Sequence, residues 1–340
     1  MMNFKEIWNN RDKANPFSGV FSVADENGVI FERCAGFRNR SEQLPNNADT
    51  AFGVASGTKL FTGLSVCKLI ETGKLSLEDK LWDVLPYDLG QIDKRVTIRH
   101  LLTHTSGIGD YLDEEADDYD EKSEALAHAY PLYLWERLDY YLQMITPLEK
   151  KFEPGERFGY SNAGFIMLGL AVEAASGKPY RQFVTEEIIT PLQLKRTGFY
   201  RMDNLPANTA IGYMEDDGGG WKTNMFTLPV IGGADGGIFT CAKDMDMLWR
   251  ALFAGRIISD TMRTAFLSPQ VKRDAERSYG LGVYRIDRNG KTAHYAVGCD
   301  AGVQFFSICF PEWKLTATAL QNMDYDVFTL LDSLFSQALQ

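Results

Sequence analysis

Strand-like runs crowd the two ends of this 340-residue chain, and helical patterns fill its middle. Near the start, Phe17–Ala24 and Val29–Ala35 flank Glu26-Asn27-Gly28, and Asn-Gly between two such runs signals a hairpin. Near the end, Tyr279–Ile286, Lys291–Val297, Val303–Phe310 and Lys314–Gln321 alternate or run apolar as strands do, before a closing helix over 326–338. Between them, helical spacing predicts helices after Ser56 up to Gly73, over 97–104, 132–146, 163–175, 180–189 and 242–253. Ser76 with Asp79 resembles a capping box for another short helix. A chain patterned in this way is expected to be α+β, with one antiparallel sheet built from both ends and flanked by helices. Residues 1–55 with 230–340 would form the sheet part and 56–229 a mainly helical insertion, with the active site in the cleft between.

The chemistry-bearing stretch is Ala51–Ile70, AFGVASGTKLFTGLSVCKLI. It reads as a short strand or turn feeding a helix. Ser56 and Lys59 lie three apart at the helix start, and residues so spaced share a face. A serine is a weak nucleophile until a neighbour takes its proton. A lysine does this when burial or a nearby positive charge lowers its pKa, and the positive end of a helix supplies such a field. The plainer reading makes Ser56 a helix cap and Lys59 a solvated side chain. A second group follows a turn at Pro154-Gly155. Tyr160 is suited to exchanging protons with Ser56, and Asn162 to donating to a substrate carbonyl while accepting from Lys59. A third is the strand end Tyr295–Gly302, where glycines admit close backbone approach and a backbone N–H can serve an oxyanion.

Ser56-Gly57-Thr58-Lys59, Tyr160-Ser161-Asn162 and the late Gly-rich strand, in that order, resemble the serine β-lactamase and penicillin-binding-protein superfamily. The likeness is to its class C β-lactamase, D-alanyl-D-alanine peptidase and esterase branch. Flanking text is similar too: VTIRHLLTHTSG over 96–107, Pro154-Gly155, Gly236-Gly237 ahead of Phe239-Thr240, and Tyr279-Gly280-Leu281-Gly282. The resemblance implies a β-lactamase/transpeptidase-like fold and a serine hydrolase. Ser56 would be acylated, with Lys59 and Tyr160 sharing the base and acid roles. Backbone N–H groups of Ser56 and Cys299 would form the oxyanion hole, Asn162 would position substrate, and water would release the acyl group. The third motif departs from the family pattern. Ala296-Val297-Gly298 stands where the family carries a lysine or histidine, a small residue and a glycine. His294 lies two residues earlier, roughly 6–7 Å away along a strand. Without the cation that helps hold a substrate carboxylate, neutral esters and amides gain over β-lactams and D-Ala-D-Ala peptides. The expected function is ester or amide hydrolysis. The alternatives are a D-alanyl peptidase or β-lactamase proper, and a non-catalytic binding protein on the same fold.

The remaining features narrow the partners. A net charge of −11 argues against nucleic acid or an anionic membrane surface. The opening MMNFKEIWNNRDKANP has no apolar run of leader length, no later run is long enough for a bilayer, and the five cysteines form no C-x-x-C pair. These features suggest a cytoplasmic chain. No cofactor or metal is expected. His100 and His104 have metal-ligand spacing, but no third ligand is evident and helix packing is favoured. Gly159–Ala163 mimics a nucleophile elbow without the surrounding βα pattern. Residues 110–125, DYLDEEADDYDEKSEA, read as a solvated insertion or mobile loop. The substrate is expected to be a small ester, amide or β-lactam.

Overall fold

The computed structural model describes residues 2–11, 16–216 and 218–339, so part of the opening segment read above lies outside the described residues. Its centre is an antiparallel sheet of eight strands: β1 (Gly19–Asp25), β2 (Gly28–Ala35), β3 (Val271–Lys272), β4 (Arg277–Tyr279), β5 (Tyr284–Arg288), β6 (Lys291–Asp300), β7 (Val303–Phe310) and β8 (Leu315–Gln321). They lie in the order β2-β1-β8-β7-β6-β5-β4-β3, so β1 from the start of the chain pairs with β8 from its end. The expected hairpin is present, with a register shift at Val23/Ala24. Strands β7 and β8 are buried along their whole length, which explains their unbroken apolar runs.

Both faces of the sheet are covered. Helices α1 (Phe4–Asn10) and α9 (Phe328–Ala338), from the two chain ends, pack Ile7, Leu330, Leu334 and Phe335 against Phe21, Phe306 and Ile308. On the opposite face lies α7 (Ala242–Phe253). Its Met245, Leu248, Trp249 and Leu252 recur at helical spacing and face the core, and Trp249 Nε1 donates to Ser307 Oγ at 2.8 Å. Helix α2 (Thr58–Glu71) lies in the same core as α5 (Asn162–Ser176). Both are buried on nearly every side over their first ten residues, so neither behaves as an amphipathic surface helix. Ser161 caps α5, and Gly177, in the left-handed region, ends it.

Several elements differ from expectation. The Ser76–Asp79 pair closes a turn, with Asp79 Oδ2 accepting from Ser76 N, but the next helix, α3, is Leu81–Val84. Residues 132–146 break into Leu132–Leu134, Leu138–Tyr141 and Leu142–Ile145. Trp135, Leu138, Tyr141, Met144 and Ile145 are the buried positions there, and the interval of three from Trp135 to Tyr141 suits tight 3-10 turns better than an α-helix. Residues 180–189 start as an α-helix and finish in a π turn over Thr185–Ile189. Helices Phe4–Asn10 and Asp260–Leu267, capped by Asn3 and Ser259, carry short patterns that the periodicity did not single out. Among the described residues no helix is long and apolar enough to cross a membrane.

Candidate active site

Ser56 lies in a 3-10 turn, Ala55–Gly57, immediately before α2. Ala55 has φ of 45°, a left-handed conformation that costs energy for any residue with a Cβ. Two bonds hold it there: its carbonyl accepts from Thr58 Oγ1 at 2.7 Å and from Gly237 N at 3.2 Å. Val54 N donates to Ile238 O at 3.0 Å, which fixes the approach to the turn. The nucleophile candidate is therefore aimed by a strained residue clamped from both sides.

Lys59 is buried in the first turn of α2, and its Nζ donates to Ser56 Oγ at 2.8 Å, Asn162 Oδ1 at 2.7 Å and the Asp235 carbonyl at 2.7 Å. Tyr160 OH donates to the same Ser56 Oγ at 2.7 Å. The structure thus brings Ser56, Lys59, Tyr160 and Asn162 together from segments a hundred residues apart. Burial lowers the Lys59 pKa from its ordinary 10.5, against an opposing pull from the carboxylates of Asp235, Glu114, Asp110 and Asp300. Burial also holds the Tyr160 phenol well above 10, with Glu114 adding to the effect. At neutral pH the phenol is protonated, and the amine is the group moved toward its neutral form.

The acidic segment is not a solvated loop throughout. Its first residues clamp the Tyr160–Asn162 motif. Asp110 accepts from Asn162 N at 2.6 Å and from Ala163 N at 3.1 Å, tying off the first amides of α5. Glu114 Oε1 accepts from Asn162 Nδ2 at 2.9 Å, and Glu115 Oε1 from Tyr160 N at 3.2 Å. Tyr111 OH donates to the Asp235 carboxylate at 2.5 Å. Sequence reasoning missed these residues because fifty positions separate them from their partners and no local periodicity links them. His100 completes a capping box with Thr97. His104 is buried, accepts from Ser161 N at 3.1 Å through Nδ1, and lies 4.5 Å from the Tyr160 ring. It backs the tyrosine, and no group of three or more possible metal ligands is found among the described residues.

On the other side of Ser56, β5 pairs with β6 only as far as Tyr295, so the β6 edge beyond is left open beside the Ser56 turn. Gly298 is required there: a Cβ would sit 2.1 Å from Val54 O and 3.0 Å from Ser56 N. Ala296 lines a narrow slot with Ser56, Lys59 and Tyr160. The Cys299 side chain receives a bond from Gln304 Nε2 and is raised to about 11 by burial and by Asp300, so its thiol is protonated at neutral pH. The structure does not bring His294 to the site. Its ring is buried 5.9 Å from Phe253, and desolvation followed by Arg285 lowers it to about 3, so it stays neutral and replaces no missing cation. A cavity of about 560 Å³ opens beside the nucleophile, lined by Ala55, Gly236, Gly237, Cys299 and Asp300.

Proteins already known are similar to this chain over most of its length. A penicillin-binding protein from Bacillus halodurans has 36% identity and a TM-score of 0.90, covering 98% of this chain and 100% of that one. Penicillin-binding protein 4* of Bacillus subtilis (strain 168) is 27% identical over 328 residues, 91% of this chain and 69% of that protein. A D-stereospecific amidohydrolase from Streptomyces sp., at 22% identity and TM-score 0.83 over 99% of each chain, shares the fold. The Beta-lactamase family model matches residues 10–330, and the chain therefore belongs to the Beta-lactamase family, within the serine β-lactamase and penicillin-binding-protein superfamily.

Proposed function

We propose that this serine hydrolase acts on small esters or amides through an acyl-enzyme on Ser56. One observation carries the reading: an amine and a phenol both reach the Ser56 oxygen, at 2.8 and 2.7 Å. Ser56 Oγ attacks the substrate carbonyl while its proton passes to Lys59, the group whose pKa burial lowers. Tyr160 hands a proton to the leaving group, and the proton that Lys59 took from Ser56 replaces it, so that amine and phenol both end the acylation neutral. The oxyanion is held by backbone N–H groups of Ser56 and Cys299, and Asn162 orients the substrate and Lys59. Water then attacks the acyl-enzyme and regenerates the hydroxyl.

Ester and amide substrates are favoured because Ala296 offers no charge to a substrate carboxylate and His294 is turned away into the core. Turnover of p-nitrophenyl acetate, lost in Ser56→Ala and in Lys59→Ala, supports the reading. Folded protein that neither turns the ester over nor gains an acyl mass from fluorophosphonates overturns it and leaves the binding-protein alternative. The penicillin-binding relatives supply the second reading, a D-alanyl peptidase or β-lactamase proper. Appreciable nitrocefin turnover or D-alanine release would favour it. We also read 1–55 with 230–340, and 56–229, as two parts meeting at Ser56. The five free thiols fit a reducing, cytoplasmic compartment.

A further inference from the structure

The 560 Å³ cavity has an unusual polar inventory. Three carboxylates line it, Asp235, Asp300 and Asp324, and among the described residues no lysine, arginine or histidine does. None of the three forms an ion pair with a described cation. Lys59 touches only the backbone carbonyl of Asp235, and Asp300 accepts only from Ala301 N, at 2.9 Å. A separate observation points the same way. Asn224 also lines the cavity and is buried; its Nδ2 donates to the Ala301 carbonyl at 2.8 Å, which sets the amide orientation, and its Oδ1 has no partner. Buried acceptors are normally satisfied. This wall therefore offers negative charge and an unmatched acceptor, and no cationic side chain among the described residues lines it. Desolvation, with Asp235 and Glu114 adding to it, raises the Asp300 carboxyl to about 7 against the opposing pull of Ala301 N–H and Lys59. Much of the remaining lining is aromatic and aliphatic, including Phe52, Tyr141, Tyr200, Phe239 and Leu228, with Thr227 and the amides Gln304, Gln321 and Asn322 between them.

We propose that the cavity selects acyl groups bearing an ammonium and an apolar side chain, with Asp300 as the ammonium anchor. The inference rests on the acyl-enzyme reading of Ser56. Asp300 follows Cys299, the residue assigned to the oxyanion, and both line the cavity, so a carbonyl held by the Cys299 N–H has Asp300 as the next residue of β6, a backbone rise of roughly 3.3 Å. An ammonium supplies a charge-assisted partner for the Asp300 carboxylate and a donor for the unpaired Asn224 oxygen, and the rings of the wall favour a cation with an apolar body.

The test compares p-nitroanilides of phenylalanine, N-acetylphenylalanine and N-succinylphenylalanine, both enantiomers of each, on the full chain. The free-ammonium substrate should exceed the N-acetyl one by about tenfold in kcat/KM, with the succinyl substrate slowest. In Asp300→Asn the ammonium-to-acetyl ratio should fall to within about twofold of one. Because this is a ratio within one protein, partial unfolding does not move it. A wild-type ratio of one or less, or a ratio untouched by Asp300→Asn, overturns the proposal. Calorimetry on Ser56→Ala protein reads the cavity without chemistry: phenylalanine amide should bind about tenfold tighter than its N-acetyl form, and equal binding, or none of either, overturns the proposal. Turnover of p-nitrophenyl acetate bears on the acyl-enzyme reading alone, so the two failures are distinguishable.

Discussion

Lys59 and Tyr160 both touch Ser56 Oγ, and their opposite pKa displacements separate their roles. A base must be neutral to accept the Ser56 proton. The Lys59 amine reaches that form below the ordinary lysine value of 10.5, whereas the Tyr160 phenol ionises well above 10. Activity should therefore rise with pH through the lowered Lys59 pKa. A pH profile of kcat/KM on p-nitrophenyl acetate should keep that limb in Tyr160→Phe. Lys59→Met should lose it along with about 10²–10⁴-fold in rate, the usual worth of a positioned base. A limb that follows Tyr160 would reverse the assignment. Ala296 supports a second prediction. It lines the slot beside Ser56 and Lys59, where a cation would meet a substrate carboxylate. Ala296→Lys should raise nitrocefin kcat/KM relative to p-nitrophenyl acetate by about tenfold, and an unchanged ratio would show that the missing charge is not what limits β-lactams. The added charge should also push Lys59 further down, displacing the limb to lower pH in the same profile.

At the level of elements, the start of α5 is where local sequence and long-range contact divide the work. Ser161 is a cap recognisable from sequence, accepting from Gly164 N at 3.0 Å. The two amides ahead of it in the helix are satisfied by Asp110, which no local rule could have paired with them. Asp110→Ala would leave Asn162 N and Ala163 N without an acceptor. A loss of about 1–3 kcal/mol is expected in urea unfolding, together with a fall in kcat, because Tyr160 and Asn162 hang from the same junction. A variant as stable as the parent would show that water replaces the carboxylate without cost. The same division explains what was legible. Ser56, Lys59, Tyr160 and Asn162 could be found because spacing and order carry them, as could the hairpin and the four late strands. Asp110, Glu114 and Tyr111 were hidden, since an acidic run reads as solvent-facing until a partner is placed against it. His294 was misleading for a related reason. Alternation along β6 puts it on the same face as Ala296, but that face becomes core beneath Phe253 within two residues.

For the whole molecule, the sheet separates stability from chemistry. One core, holding α2, α5 and α7, lies on the Ser56 face, while the other is sealed by the two terminal helices on the far face. Leu334 is fully buried in the far core, among residues of α1, α9, β1 and β7, and is not among the residues that line the slot around Ser56. Leu334→Ala should therefore cost about 2–5 kcal/mol of stability, the range for a buried leucine that leaves a cavity. The kcat of the protein that remains folded should stay within about twofold of the parent. Denaturant midpoints and active-site titration with a fluorophosphonate measure the two quantities independently. The outcome depends on how rigidly β6 and β7 hold their register, because β6 presses Gly298 against the Ser56 turn while β7 carries Phe306 and Ile308 in the far core. If the cavity relaxes by bending β7, the strand edge beside Ser56 moves with it, and kcat falls in step with stability. If the sheet stays stiff, as interior packing near crystal density leads one to expect, the loss remains on the far face.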